Sequence, residues 1–428
     1  MERKKLVYGI DFGTSNSAVA ILDGNGHSQI LKIGDTDSGL TIRSVLFFPE
    51  NNPGEVYIGE RAILEYVKSG AKGRFIQSIK STLSCKSFSG TIIPGFGTLT
   101  SEDLISFILK IIKEKADAIT SYDVKRVILG RPAKFSDDEE ADKLAEKRLF
   151  AAAKKAGFEE IRFQLEPVAA ALHHESGLIK EQLVFVADIG GGTSDFTIAR
   201  LSPSKVNKDN RHEDILSFDG VYIGGDTFDS DIMKHKLLTY FGYGSELKTQ
   251  TNKILPFPTQ ILYKLCKWEN IGFIKNRNTA LLLKRLHFES TNKEAILRLQ
   301  SIINEDLLFH LFREIERTKI SLSTLTEASI NFSQSVINIR EVIARSEFEN
   351  FIIEKLKTIE ESTDNALRMA NINPSEIETV FLTGGSSLIP AIRDLFIKKF
   401  GVEKIAPSNA FISVASGLAL STNLFFNE

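Results

Sequence analysis

Two stretches of the chain share one alternation of apolar and polar positions. Leu183 to Ala187 (LVFVA) is a short apolar, β-branched and aromatic run of the kind that forms a buried strand, and Phe196 to Arg200 (FTIAR) resumes that chemistry after a tight turn. The spacing predicts a β-hairpin. Leu6 to Leu22 (LVYGIDFGTSNSAVAIL) repeats the order of apolar strand, Asp, Gly-Thr-Ser turn and second apolar strand, with Asp11 in the place that Asp188 takes later. Self-similarity of this kind predicts two related lobes, each presenting one hairpin tip.

The remaining pattern fills in around these hairpins. Strands are expected near residues 41–49 and 56–58, followed by a short helix over 61–68. From Thr100 an apolar face at Leu104, Ile105, Ile108, Ile111, Ile112 and Ala116 predicts a helix capped near Ser101 or Glu102. A strand over 124–129 ends at Arg131-Pro132, a charged helix runs from Ser136 to about Ala156, and a strand over 161–165 leads into a helix at Glu166-Pro167. Pro167 suits a first helical turn, where no donor is missed, so Glu166 projects from a strand-to-helix corner. Residues 228–345 read as mostly helical, and 345–371 as one long helix. A strand over 380–383 then runs into Gly384-Gly385-Ser386-Ser387, with helices over 389–400 and about 412–424.

The hairpin tips carry the candidate chemistry. Gly190, Gly191 and Gly192 have no Cβ, so their backbone N–H groups can approach an anion closely. Thr193 adds a hydroxyl donor, and Asp188 and Asp195 can hold a hydrated divalent cation against phosphate charge. A lone glycine triplet is equally an ordinary surface turn. The second hairpin, with Asp11, favours a phosphate and magnesium site gripping a polyphosphate from both sides. Ile223-Gly224-Gly225-Asp226 is a second glycine pair that either cradles phosphate or simply turns, and the strand, glycine pair and helix start at 384–387 suit close packing on a flat ligand or sugar. Lys80, taken alone, reads as a surface lysine. His173 and His174 are adjacent on a helix, point in different directions and read as a solvated helix end.

Composition narrows the function classes. At 428 residues, 42% apolar and 25% charged, the chain has the make-up of a globular protein of two to three domains. A formal charge of −2 with dispersed Lys and Arg leaves no footprint for nucleic acid. Cys85 and Cys266 offer no metal or disulfide spacing. The N-terminal apolar run is broken by Asp11, and no run of about 18 apolar residues spans a bilayer, so a cytoplasmic protein without a membrane partner is expected.

Eight separated motifs, GIDFGTSNSAVA, VILGRPAKF, QLEPVAAAL, VADIGGGTSDF, IGGDTFD, ERTKISLS, ARSEFE and FLTGGSSLIP, resemble in order and spacing the nucleotide-binding domain of heat-shock protein 70 chaperones, with its short YegD-like branch nearest in kind. The resemblance implies an α/β fold of two related actin/ribonuclease-H-like lobes around a central nucleotide cleft. Lobe I would be 1–182, with 41–119 peripheral and 407–428 returning to it. Lobe II would be 183–406, with 227–345 as an enlarged peripheral subdomain. It implies ATP/ADP and Mg2+ as cofactors and a slow Mg-dependent ATPase, with a client or co-chaperone as protein partner.

By the same resemblance Asp11 and Asp188 face magnesium through water, with Glu166 and Asp195 in the outer shell. Gly13, Thr14 and Ser15 line one phosphate loop, and Gly190 to Thr193 the other with Gly224 and Gly225 beside it. Lys80 orients the attacking water. Gly384, Gly385 and Ser386, with Glu316, Lys319 and Ser323, hold the adenosine, and Pro132 is the relay proline between lobes. Three departures stand out. Ile320 and Leu388 occupy the places where the family puts arginines over adenine, the segment 229–314 is longer than the family norm, and no linker or β-sandwich follows, so peptide clamping of the usual kind is not expected. A sugar-type kinase and an actin-like or nucleotide-gated scaffold are the alternatives that share the same hairpins.

Overall fold

The computed structural model describes residues 6–34, 39–70, 72–136, 138–175, 178–205, 212–249, 251–267, 274–305, 307–406 and 413–426. The side chains of His173 and His174, together with Trp268, lie outside what is described. The chain divides into two compact units, one of residues 1–224, 358–388 and 392–428, the other of 225–357 and 389–391.

Both expected hairpins form, and both belong to the first unit. In the first sheet β1 (Val7–Phe12) and β2 (Asn16–Leu22) pair antiparallel, and β3 (Ser28–Ile30) extends β2. On the other side of β1 the parallel strands β4 (Arg126–Arg131) and β5 (Glu160–Leu165) follow in turn. Parallel neighbours need crossovers. These are supplied by α1 (Ser101–Thr120), which precedes β4, and α2 (Glu139–Lys155), which joins β4 to β5. The second sheet repeats the plan: β6 (Gln182–Ile189) and β7 (Ser194–Leu201) form the hairpin, β8 (Ile215–Val221) continues it antiparallel, and β9 (Thr379–Thr383) lies parallel on the far side of β6. The α/β class with two related halves is therefore seen directly in strand order.

Two short helices hold the sheets at a fixed distance. α3 (Glu166–Glu175) and α6 (Ser413–Leu420) share a core with Val7 and Ile128 of the first sheet and Val184, Val186, Ala199 and Phe381 of the second. Their close approach depends on missing side chains. A Cβ on Gly417 would sit 1.8 Å from the Ala169 carbonyl oxygen, and one on Gly9 would sit 2.4 Å from the Ala419 nitrogen. Backbone cannot yield there, so any larger residue would force α6 away and shift the hairpin tips.

Local chemistry moves several boundaries. Thr100, rather than Ser101 or Glu102, caps α1 in a reciprocal box with Asp103. Asp138, rather than Ser136, caps α2. The long helix expected over 345–371 is broken at Ile352 into Arg345–Phe351 and Ile353–Ala370. The last helix is likewise divided, into Ser413–Leu420 and Thr422–Phe425.

The second unit departs most from expectation. Its helices include α4 (Leu308–Leu322), but it also carries two β-hairpins, Glu246–Lys248 with Ile254–Pro256 and Glu327–Gln334 with Ile337–Ala344. Ile330, Phe332, Ile337, Ile339 and Ile343 are buried at alternate positions, and Ser335 takes the left-handed turn at φ 52°. The mostly helical reading of 228–345 holds over 228–241, 259–265, 277–289, 293–304 and 308–322 and is corrected at the two hairpins; the period is two over 327–344.

Candidate functional site

The two hairpin tips meet. A Cβ on Gly192 would lie 3.2 Å from the Thr14 methyl carbon, so the glycine turn of β6–β7 rests beside the Gly13-Thr14-Ser15 turn of β1–β2. Gly13 has no room for a side chain, since its Cβ would fall 2.2 Å from the Asn16 carbonyl oxygen. The second tip is closed by the Gly190 amide donating to the Thr193 carbonyl at 2.9 Å.

Two further turns brace it. The Ser194 hydroxyl donates to the Ile223 carbonyl at 2.7 Å, which brings Gly224 so near that its Cβ would stand 2.5 Å from the Gly191 oxygen. The Ser386 hydroxyl donates to the Gly190 carbonyl at 2.8 Å. Gly384, at φ +76°, passes so close that a Cβ would lie 2.3 Å from the Ile189 oxygen and 2.8 Å from Asp188 Oδ1. Gly385 opens the turn Gly385–Leu388 that carries Ser386. Thus Gly13, Thr14, Gly190, Gly191, Gly192, Gly224, Gly384 and Ser386 gather at one backbone-walled recess.

Acidic groups line it. Asp11 stands near the end of β1 opposite Ala18, and Asp188 near the end of β6 opposite Asp195 on β7 and Thr383 on β9. Glu166 projects from the β5–α3 corner and packs over Gly130, whose Cβ would come 3.1 Å from Glu166 Cγ. Its Oε1 accepts from Lys80 Nζ at 2.9 Å, with the two side chains only 13% and 8% exposed. Lys80 itself rides on a single helical turn, Ile79–Thr82, anchored by fully buried Ile79 and Leu83.

Crowding shows in the acidities. Desolvation, then the nearby Glu166 carboxylate, pushes Asp188 up to about 6, with Lys80 and the Thr383 hydroxyl working against the rise. Desolvation, then Asp188 and Glu166, pushes Asp195 up to about 7, against the hydrogen bond it accepts from the Thr193 hydroxyl at 3.1 Å. Desolvation, followed by Glu166 and Asp188, also raises Asp11 well above the carboxylate range. Burial alone would lower the Lys80 pKa, but Glu166 and Asp11 outweigh it and hold the ammonium above its ordinary range. Each of these carboxyls is thus harder to ionise than a free one, because burial and its acidic neighbours outweigh Lys80.

The residues expected from ERTKISLS lie on the second unit. Glu316 and Lys319 are on α4 and Ser323 is its C-cap. Lys319 is buried and donates to Asp229 Oδ2 at 2.8 Å and to the Gly225 carbonyl at 3.0 Å; burial depresses its pKa, but Asp229 and Glu316 more than compensate, so the net shift is upward. Ile320, on the same helix, is 58% exposed, and Leu388, on the first unit, is 46% exposed. Two further residues belong to the site: Thr383, which pairs with Asp188 across β6 and β9, and Gly130, which makes room for Glu166. Neither has a local sequence signal beyond a strand end.

Two related sheets, each with a glycine-tipped hairpin, converging beside buried carboxylates and the largely buried Lys80, define an α/β protein of duplicated architecture. The family model described as Hsp70 protein matches residues 7–255 and 285–427, and the chain belongs to this family. It is 26% identical over 429 residues to the Chaperone protein DnaK of Thermotoga neapolitana, covering 98% of this chain and 59% of that protein. It is 25% identical over 435 residues to the Chaperone protein DnaK of Thermosipho melanesiensis, covering 100% of this chain and 60% of that protein. The chain thus spans about three fifths of the length of the curated relatives it matches.

Proposed function

We propose that the recess binds magnesium-ATP and hydrolyses it slowly, and that nucleotide-driven closure of the lobes built on the two sheets (1–182 and 183–406) serves a chaperone-like task with a protein partner in the cytoplasm. The observation that carries this reading is the Lys80–Glu166 pair at 2.9 Å among Asp11, Asp188 and Asp195. Among the described residues no three His, Cys, Asp or Glu side chains converge tightly enough to ligate a metal directly. Separated carboxylates with raised pKa values fit a cation held through its water shell, with Asp11 and Asp188 as its acceptors and Glu166 and Asp195 behind them. When bound, magnesium supplies positive charge against the β- and γ-phosphates.

The chain's own residues do the rest. Backbone N–H groups of Gly13 to Ser15 and Gly191 to Thr193, with Gly224 and Gly225, bind the phosphates, while the Gly190 amide closes the second turn on the Thr193 carbonyl. The Thr193 hydroxyl, which donates to Asp195 here, exchanges that partner for the charge that develops on the transferred group. Lys80, held by Glu166, positions the attacking water and stabilises the same charge, so catalysis is largely placement and electrostatics. The adenosine is assigned to Gly384, Gly385 and Ser386, and to Glu316, Lys319 and Ser323 on the strength of the family motif. Among the described residues no helix is long and apolar enough to cross a membrane. Phosphate release from magnesium-ATP with no acceptor present tests the proposal, because a sugar-type kinase would be nearly silent and a non-hydrolysing scaffold wholly so.

A further inference from the structure

Lys80 is presented by one turn of helix, which on its own is a weak support. Four backbone carbonyls in and after that turn converge on a single side chain, Arg148 of α2. Its Nη1 donates to the carbonyls of Thr82 at 3.0 Å, Leu83 at 2.9 Å and Cys85 at 3.0 Å, and its Nη2 donates to that of Phe88 at 3.1 Å. Glu102 lies 3.9 Å from its Nε, and the arginine side chain is only 12% exposed.

A guanidinium has five donors in a rigid plane and no acceptor, so it can serve several carbonyls that point to one centre. Thr82 and Leu83 end the turn, where carbonyls lack helical partners and positive charge is favoured; Thr82 and Cys85 also accept from the Cys85 amide at 3.3 Å and the Phe88 amide at 3.1 Å, so the guanidinium gathers a loop already folded on itself. The turn's N-terminal side is costly in the opposite sense, since Ser78 is held in the left-handed region at φ 53°. A residue strained there keeps that conformation only when its surroundings determine it. Lys86 completes the attachment of the same loop to α2, donating to Asp138 at 2.7 Å and Glu140 at 2.9 Å, but those contacts are exposed and screened.

We propose that Arg148 is a positioning residue for Lys80. By gathering the 82–88 carbonyls it fixes the Ile79–Thr82 turn, and through it the reach of the Lys80 ammonium to Glu166. This rests on the ATPase reading for its consequence in rate, though not for its consequence in structure. The chain from Arg148 to Lys80 is backbone, so its loss blurs the ammonium's position without touching the phosphate loops. A displacement of about 1 Å from outside the reacting centre costs as much as a hundredfold in rate.

The test compares Arg148→Ala, Arg148→Lys, Lys80→Ala and the double variant Lys80→Ala/Arg148→Ala in single-turnover hydrolysis of saturating magnesium-ATP, with magnesium-ADP affinity and hydrogen exchange of residues 79–88 measured beside it. Arg148→Ala is expected to slow the chemical step about tenfold or more while the ADP dissociation constant stays within about twofold. Arg148→Lys is expected to recover part of the rate, because an ammonium serves fewer carbonyls. In the Lys80→Ala background the second substitution is expected to change the rate by less than about twofold. An equal loss in both backgrounds would mean that Arg148 acts generally on the fold, and an unchanged rate in Arg148→Ala would mean that it does not hold Lys80; either overturns the inference. If the unaltered protein shows no turnover, the ATPase reading fails by itself, and exchange decides the positioning claim: amides of 79–88 at least about tenfold faster in Arg148→Ala or Arg148→Lys support it, and unchanged protection overturns it.

Discussion

Replacing Lys80 by methionine keeps its unbranched stem, one atom shorter, and removes the positive charge that acts against the raised pKa values of Asp11, Asp188 and Asp195. At 2.9 Å from Glu166 Oε1, and at an effective dielectric near 20, its attraction to that carboxylate alone is about 6 kcal/mol before desolvation is counted. Both side chains are largely buried, and breaking such a pair by removing one partner costs about 3–5 kcal/mol. The low end of that range, about 3 kcal/mol, applies because the two side chains keep 13% and 8% of their exposure. Lys80 itself remains protonated across the neutral range, since its pKa is raised. The pH dependence therefore comes from the carboxylates.

With folded values of about 6 and about 7 against an unfolded 3.8, Asp188 and Asp195 bind more protons in the folded protein, so stability falls as pH rises between these limits. Loss of Lys80 steepens that fall. Urea unfolding of the nucleotide-free protein should show a deficit for Lys80→Met of about 3 kcal/mol near pH 8, shrinking to about 1 kcal/mol near pH 5 as the carboxylates take up protons. Its turnover should drop about a hundredfold while magnesium-ADP affinity changes little. A deficit below about 1 kcal/mol at both pH values, or one equal at both, would refute the claim that Lys80 is the compensating charge.

Asp11→Ala and Asp188→Ala should each reduce magnesium-dependent turnover about a hundredfold or more, measured as phosphate release across a magnesium titration; unchanged rates in both would remove the site. Asp195→Asn should stabilise the nucleotide-free protein near pH 8 and leave it almost unchanged near pH 5, read as shifts in melting temperature. Gly384→Ala should cost about 2 kcal/mol or more in urea unfolding, because its φ of +76° is unfavourable for a side chain and the added Cβ meets the Ile189 carbonyl at 2.3 Å. Leu388→Arg should tighten adenine nucleotides between about twofold and about thirtyfold by cation–π attraction, measured by calorimetry against GTP as the control.

The hairpins were legible because their tips carry Asp, Gly and Thr in order and their arms are apolar runs of strand length. The six-residue pairing of β4 with β5 and the crossovers by α1 and α2 follow from the same local pattern. What long-range packing decides was not legible. Thr14 meets Gly192 only because α3 and α6 pack between the sheets through Ala169 and Gly417, which are distant in the chain. Lys80 carries no local mark of function; its partner Glu166 is 86 residues away, and only the family resemblance singled it out. The Glu327–Ala344 hairpin has a legible alternation of its own. Its alternation lies between segments with a helical stripe, and the neighbouring period was carried across it. Arg148 carries no sequence mark, because its four partners are carbonyls, which no side-chain motif records.

The most direct measurement is phosphate release from ATP by the purified chain, with magnesium and with chelator, and with no acceptor added. The account predicts slow, magnesium-dependent turnover that disappears in Asp188→Ala and falls sharply in Lys80→Ala. Magnesium-ATP that binds and stabilises the fold but is never hydrolysed, with Lys80→Ala indistinguishable from the unaltered protein, would contradict it.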